Sequence, residues 1–153
     1  MGDNLKVKGK FTGMLLSPDG QEKQRVEIDN LVVDKGLEMI ADQLRSEPLI
    51  DIPSHVGLGE GDTEPSGEDE GLQIEVGDRQ SVSRNKEPGE PTIEYFASFG
   101  PDEPIDDTVE ITEAGLFNAS SGGDLLARVT FGVVTKEPQD TYELTWEITI
   151  TAG

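Results

Sequence analysis

The sequence predicts a mainly β protein, an antiparallel β-sandwich or jelly-roll-like barrel with one short α-helix over about residues 34–45. Period-two alternation of apolar and polar residues recurs along the chain, the mark of strands with one buried face. Clusters of Pro, Gly and Asp separate these runs at short intervals. Only one segment carries apolar residues at the i, i+3, i+4, i+7 spacing of a helix. The 153 residues form one domain, 1–153, long enough to bury a core without a metal or a disulfide.

Taken in order, LKVKGKF at 5–11 alternates apolar and basic residues. SPDG at 17–20 supplies a turn, with Pro18 fixing φ and Gly20 freeing the exit. A second run over 24–33 completes an N-terminal hairpin spanning residues 4–33. Asp34 stands at an N-cap position, and Leu37, Ile40, Ala41 and Leu44 form one stripe, expected to face the core. Glu38, Asp42 and Gln43 fall on the expected wet face, and Pro48 closes the segment. A short strand at 55–58 leads into an acidic, glycine-rich loop at 59–78. RQSVSR at 79–84 carries a weak strand pattern, KEPGEP at 86–91 a turn, and IEYFASF at 93–99 a strand. After a loop with Pro101 and Pro104, residues 108–117 read as a strand and SSGG at 120–123 as a hairpin turn. The last hairpin pairs 125–135 with 142–151 around KEPQD. In YELTWEITIT, Tyr142, Leu144, Trp146, Ile148 and Ile150 share one face, while Glu143, Thr145, Glu147 and Thr149 share the other.

Composition narrows the function classes. There are 32 acids against 12 bases, a formal net charge of −20. Such a surface repels nucleic acid, whose binding depends on basic residues neutralising phosphates. High charge with few apolar residues is also a signature of disorder, but the clean periodic segments argue for a folded chain. A dense acidic surface with only seven lysines fits a protein adapted to high salt, where repulsion among acids is screened. No apolar run approaches the roughly 20 residues of a membrane helix. The opening MGDNLKVKGKF lacks the apolar block of a signal peptide, and Lys6 occupies the Ser/Thr position of a myristoylation motif. Neither nucleic acid nor membrane is expected as a partner. The absence of cysteine excludes disulfides, a thiolate nucleophile and zinc–thiolate sites, and the single histidine, His55, excludes multi-histidine metal sites within one chain.

The stretch HVGLGEGDTEPSGEDEG at 55–71 is the richest in candidate chemistry. Its Gly57-x-Gly59-x-Gly61 spacing matches neither GxGxxG nor a Walker loop, no helical pattern follows it, and its acids would repel phosphate. Glu60, Asp62, Glu64, Glu68, Asp69 and Glu70 are hard oxygen ligands, candidates for Ca²⁺ or another cation, although the EF-hand spacing is absent. The alternative is a strand exit whose glycines take φ > 0 conformations, followed by a solvated acidic loop. No GxSxG elbow or acid–base–nucleophile constellation can be named, and no catalytic residue or cofactor is expected. Lys6, Lys8 and Lys10 share one face of the first strand. They read either as lysines guarding an edge strand or as an interface docking on an acidic neighbour such as an identical subunit.

The order of segments resembles that of small structural proteins of tailed viruses. NLVVDKGLEMIADQL at 30–44 is similar to their strand and short-helix opening, and VGLGEGDT at 56–63 to their "VGxGxT" turn. Leu72 and Arg79 follow as the pattern's leucine and arginine, then YFASFGPDEP as its aromatic segment. ITEAGLF at 111–117 and the LLARVTF-to-TWEITI stretch over 125–150 complete it. The likeness spans about residues 30–151 and leaves out the N-terminal hairpin and an acidic insertion at 64–71. It implies a non-enzymatic virion protein that assembles as a homo-oligomer on the capsid surface, as a turret or decoration. Its partners would be itself and other virion proteins such as the major capsid protein. A tail, baseplate or fibre-anchoring component is the alternative, and acidity together with resemblance implies a virus of a haloarchaeon. A carbohydrate-binding β-sandwich is a different class of reading; its aromatic platform would have to come from Tyr95, Phe96, Tyr142 or Trp146.

Overall fold

The computed structural model describes residues 5–152. The first residue of the expected hairpin, Asn4, and the start at Met1 and Gly2 lie outside the described residues. Nine strands and one helix follow in the order β1 (Leu5–Leu16), β2 (Glu22–Val32), α1 (Asp34–Asp42), β3 (His55–Gly59), β4 (Glu75–Ser81), β5 (Ser83–Asn85), β6 (Thr92–Phe99), β7 (Val109–Phe117), β8 (Leu125–Lys136) and β9 (Thr141–Ala152). They form one antiparallel sheet in the spatial order β4-β3-β7-β8-β2-β1-β9-β6-β5.

The two ends of that order, β4 and β5, are a single run of chain interrupted only at Val82. The first half pairs with β3 and the second with β6, so one bent segment sits on both edges. Val82 N–H donates to the Ser54 carbonyl at 2.9 Å at the bend. The sheet is thereby nearly closed into a barrel, which leaves few free backbone groups at its margins. A looser seam runs between β2 and β8, where only Leu31–Arg128 and Val32–Ala127 pair; further along, Gln24 Nε2 reaches the Val133 carbonyl at 3.1 Å.

Alternation in β1 and β9 fills the barrel. Phe11 lies opposite Trp146, their rings edge-to-face at 5.0 Å, and stacks on Phe131 at 5.4 Å. Tyr142, Leu144, Trp146 and Ile148 are buried as the alternation requires, and Leu58, Ile111, Leu116 and Val129 meet them from the opposite wall. The Tyr142 hydroxyl lies over Gly13 without a hydrogen-bond partner among the described residues. Burial pushes its pKa far above the usual tyrosine value.

Three sequence expectations need correction. The last two strands do not pair with each other as a hairpin: after the turn at 137–140 the chain crosses from one wall of the sheet to the other, with β8 held between β7 and β2 and β9 between β1 and β6. Alternation marks a strand and its buried side but not its partner. β1 is hydrogen-bonded on both sides, to β2 and β9, only from Gly9 onward, so Lys10 does not guard an edge, whereas Lys6 and Lys8 lie on the stretch paired with β9 alone. All three share the exposed outer face; Lys10 lies in register with Asp29 on one side and Glu147 on the other. Helix α1 is shorter than expected and turned the other way. Its N-cap is Val33, with Asp34 in the first turn, where a carboxylate complements the helix dipole. Gly36, Met39 and Asp42 face inward, while Leu37, Ala41 and Leu44 face solvent. Gly36 explains the inversion: a Cβ there would collide with the Leu126 carbonyl, so this face alone can approach β8 so closely. Asp42 is buried because its carboxylate accepts the N–H groups of Leu49 and Ile50, each at 2.7 Å, ending the helix before Pro48.

Candidate functional site

The outer face of β3, β7 and β8 is covered by the loop over 60–74 and by α1. A β-bulge in the β7–β8 pairing creates this second layer. Ile111 pairs with Val134, but Glu113 pairs with Thr130, so the inward parity of β7 shifts between Ile111 and Ala114. Glu113 and Phe117 then point away from the barrel core, toward the loop. Val33, Phe117 and Leu125 form a small separate core there, with Leu72 packed against it.

Glu113 is fully buried and accepts hydrogen bonds from four groups, three backbone N–H and one guanidinium. Its Oε2 takes the Gly61 and Ile74 N–H groups, each at 2.8 Å. Its Oε1 takes the Gln73 N–H at 2.9 Å and the Arg128 guanidinium at 3.0–3.1 Å. Arg128, 1% exposed, also reaches Asp69 at 3.0 Å and Thr63 Oγ1 at 3.1 Å. A buried carboxylate is stable only when its charge and lone pairs are met, and here both ends of the acidic loop meet them. The Gln73 side chain adds to the fastening, accepting the N–H groups of Asp62 and Thr63 at 2.9 and 3.0 Å.

Arg79 forms a second clamp. Its guanidinium binds the Glu75 carboxylate through Nε and Nη2 at 2.8 and 3.0 Å and lies 3.5 Å from the centre of the Phe117 ring. Nη1 donates to the carbonyls of Ala119 and Gly122 at 2.9 Å, holding the β7–β8 turn.

The glycines at 57, 59 and 61 serve this layer by close approach, and none is among the residues with positive φ. A Cβ on Gly59 would lie 2.5 Å from Glu113 Oε2 and from the Ile74 carbonyl. One on Gly61 would strike the same Oε2 at 2.5 Å, and one on Gly57 would press on Glu75 and Phe117. The expected left-handed exit is thus replaced by an extended strand that carries no side chains where a carboxylate must lie.

Of the six cation candidates, Asp69 is paired with Arg128, whereas Glu60, Asp62, Glu64, Glu68 and Glu70 are exposed. Among the described residues, no three His, Asp or Glu side chains gather in a way that could hold a metal ion. A cleft of about 290 Å³ between the loop and α1 is lined by Lys35, Asp69, Glu70 and Asp124. Lys35 donates to Glu38 at 3.0 Å, which raises its pKa. His55 is half-buried, its Nδ1 2.8 Å from Ser54 Oγ. Tyr95, Tyr142 and Trp146 are core residues, and Phe96 alone of the four platform candidates is exposed, at 38%.

Sequence reasoning named Arg79 only as a pattern residue and gave Glu113 and Arg128 no role. Their signal is a charged residue inside otherwise apolar strand sequence, ITEAGLF and LLARVTF. Comparisons with protein families, curated proteins and solved structures found no match to this chain.

Proposed function

We propose that the chain is a non-enzymatic structural protein of a tailed virus, assembling with itself on the capsid surface as a turret or decoration. One observation carries the reading: the residues of the ordered pattern converge on a single structural layer. Gly57, Gly59, Gly61, Thr63, Leu72, Arg79, Glu113 and Arg128 lie far apart in sequence, yet together they fasten one loop to one sheet. A pattern consumed in internal hydrogen bonds is a signature of architecture, which is what a virion part requires. The nearly closed sheet supports the same role, because a barrel with few free edges associates through chosen surfaces.

The partners in this reading are further copies and other virion proteins such as the major capsid protein, and the location is the virion. Lys6, Lys8 and Lys10 offer one basic surface to an acidic neighbour. The net charge of −20 supports a haloarchaeal virus, whose particles assemble in concentrated salt. Gold-labelled antibody against the chain, applied to intact particles, tests the proposal. Label over the capsid is the expected result, label on the tail or baseplate would favour the anchoring role, and particles devoid of label would refute a virion part.

A further inference from the structure

We infer that the free edge of β1 over Leu5–Lys8 is a strand-accepting site, occupied by an extended segment of a different protein in which acidic and apolar residues alternate. The inference deepens the partner contact of the virion role proposed above and rests on that role for where the partner is found.

The sheet leaves this edge open at a fork. β2 pairs with β1 up to Gly9–Asn30, and its next residues, Leu31 and Val32, turn away to β8. Leu5–Lys8 therefore pair with β9 on one side and with no described strand on the other. A cleft of about 360 Å³ opens at the fork, lined by Val7, Lys8, Gly9, Asp29 and Asn30. Asn30 lies across Gly9 there, and neither polar atom of its side-chain amide has a hydrogen-bond partner among the described residues. An unpaired strand edge offers its N–H and C=O groups to any segment that can lie alongside. A strand running on from the fork also brings further peptide groups beside that amide.

Charge identifies what lies alongside. Among the described residues, nine of the 12 Lys and Arg side chains meet a carboxylate or a backbone carbonyl, and the exceptions are Lys6, Lys8 and Lys10. Lys10 still has Asp29 and Glu147 in register, whereas Lys6 and Lys8 have only Thr151 and Thr149. The two cations without an acidic neighbour thus stand on the stretch whose edge is open. On the opposite face Leu5 is 73% exposed and Ile150 37%, with Val7 half-buried between them. A strand with acids on its outer side and apolar residues on its inner side meets both faces. The same lysines turn away a second copy of this edge, because pairing two of them sets lysine against lysine. Segments of this chain that do alternate acids with apolar residues, such as VEID at 26–29 and YELTWEI at 142–148, already belong to its own sheet.

The test uses the full chain and a labelled peptide of about eight residues that alternates glutamate and valine. Fluorescence anisotropy should show it binding roughly tenfold or more tighter than a lysine–valine peptide. Hydrogen exchange should slow at the Leu5–Lys8 amides when it binds. N-methylation of alternate peptide residues removes backbone donors but keeps the charge, and should weaken binding by roughly tenfold or more. The double variant K6E/K8E, with unchanged circular dichroism, should reverse the preference toward the lysine–valine peptide. Equal binding of the N-methylated peptide, unchanged exchange at Leu5–Lys8, or a K6E/K8E variant that keeps the wild-type preference would overturn the site. In intact particles, cross-links from Lys6 or Lys8 to carboxylates should reach an acidic segment of another protein. Cross-links only to further copies of this chain would overturn the partner assigned. Each of these failures leaves the virion role standing, since that role falls only if particle labelling fails.

Discussion

Replacing Glu113 probes the fastening of the acidic loop most directly. The carboxylate accepts three backbone N–H groups and one guanidinium, all with the side chain removed from water. Breaking a buried ion pair by removing one partner costs about 3–5 kcal/mol. Each backbone donor left buried without a partner adds about 1–3 kcal/mol, an upper bound because an opened loop lets water reach it. Glu113→Gln should therefore lose about 3–5 kcal/mol, a large part of the roughly 5–15 kcal/mol that holds a domain folded. Arg128→Met should lose less. Its removal leaves Glu113 with three N–H donors, while the released Asp69 and Thr63 are already near solvent. Urea unfolding in molar KCl, with linear extrapolation, measures both losses. Amide exchange should show protection lost first at Gly61, Gln73 and Ile74, whose N–H groups the carboxylate holds. A Glu113→Gln loss below about 1 kcal/mol, or an Arg128→Met loss exceeding it, would refute the idea that the carboxylate organises the loop.

Other outcomes follow from the same structure. Gly59→Ala sets a methyl group 2.5 Å from Glu113 Oε2 and should cost about 1–3 kcal/mol by overpacking, measured by the same urea titration. Tyr142→Phe removes a buried hydroxyl with no partner among the described residues and should stabilise the fold by about 1 kcal/mol at neutral pH. Because burial raises the pKa of that hydroxyl, the unfolded chain gives up the proton first. The wild type should therefore lose stability as pH rises above the ordinary tyrosine value of 10.0, and the phenylalanine variant should lose less, a difference read by melting curves at rising alkalinity. Lys10→Glu aligns an acid with Asp29 and Glu147 across three strands, so its melting temperature should fall most in dilute buffer and recover with salt. The wild-type melting temperature should itself climb with KCl, as screening relieves a net charge of −20.

The sequence by itself determined the fold class, the N-terminal hairpin, the last two strands though not their partners, and the existence of one helix. These are local properties: alternation in YELTWEITIT states which side is buried wherever the strand lies, and SPDG turns the chain regardless of its surroundings. Tertiary structure decided which face each element presents to which neighbour. The stripe Leu37–Ala41–Leu44 has the period of a buried face, yet Gly36 must sit against the Leu126 carbonyl, and that contact turns the stripe to solvent. The glycines at 59 and 61 marked a backbone requirement, but its nature depended on a carboxylate more than fifty residues away. Glu113 points out of the barrel because a bulge in β7–β8 shifts its parity, and no periodicity in either strand alone announces that shift. Pattern is written along the chain, whereas close approach and charge pairing exist only between segments that folding brings together.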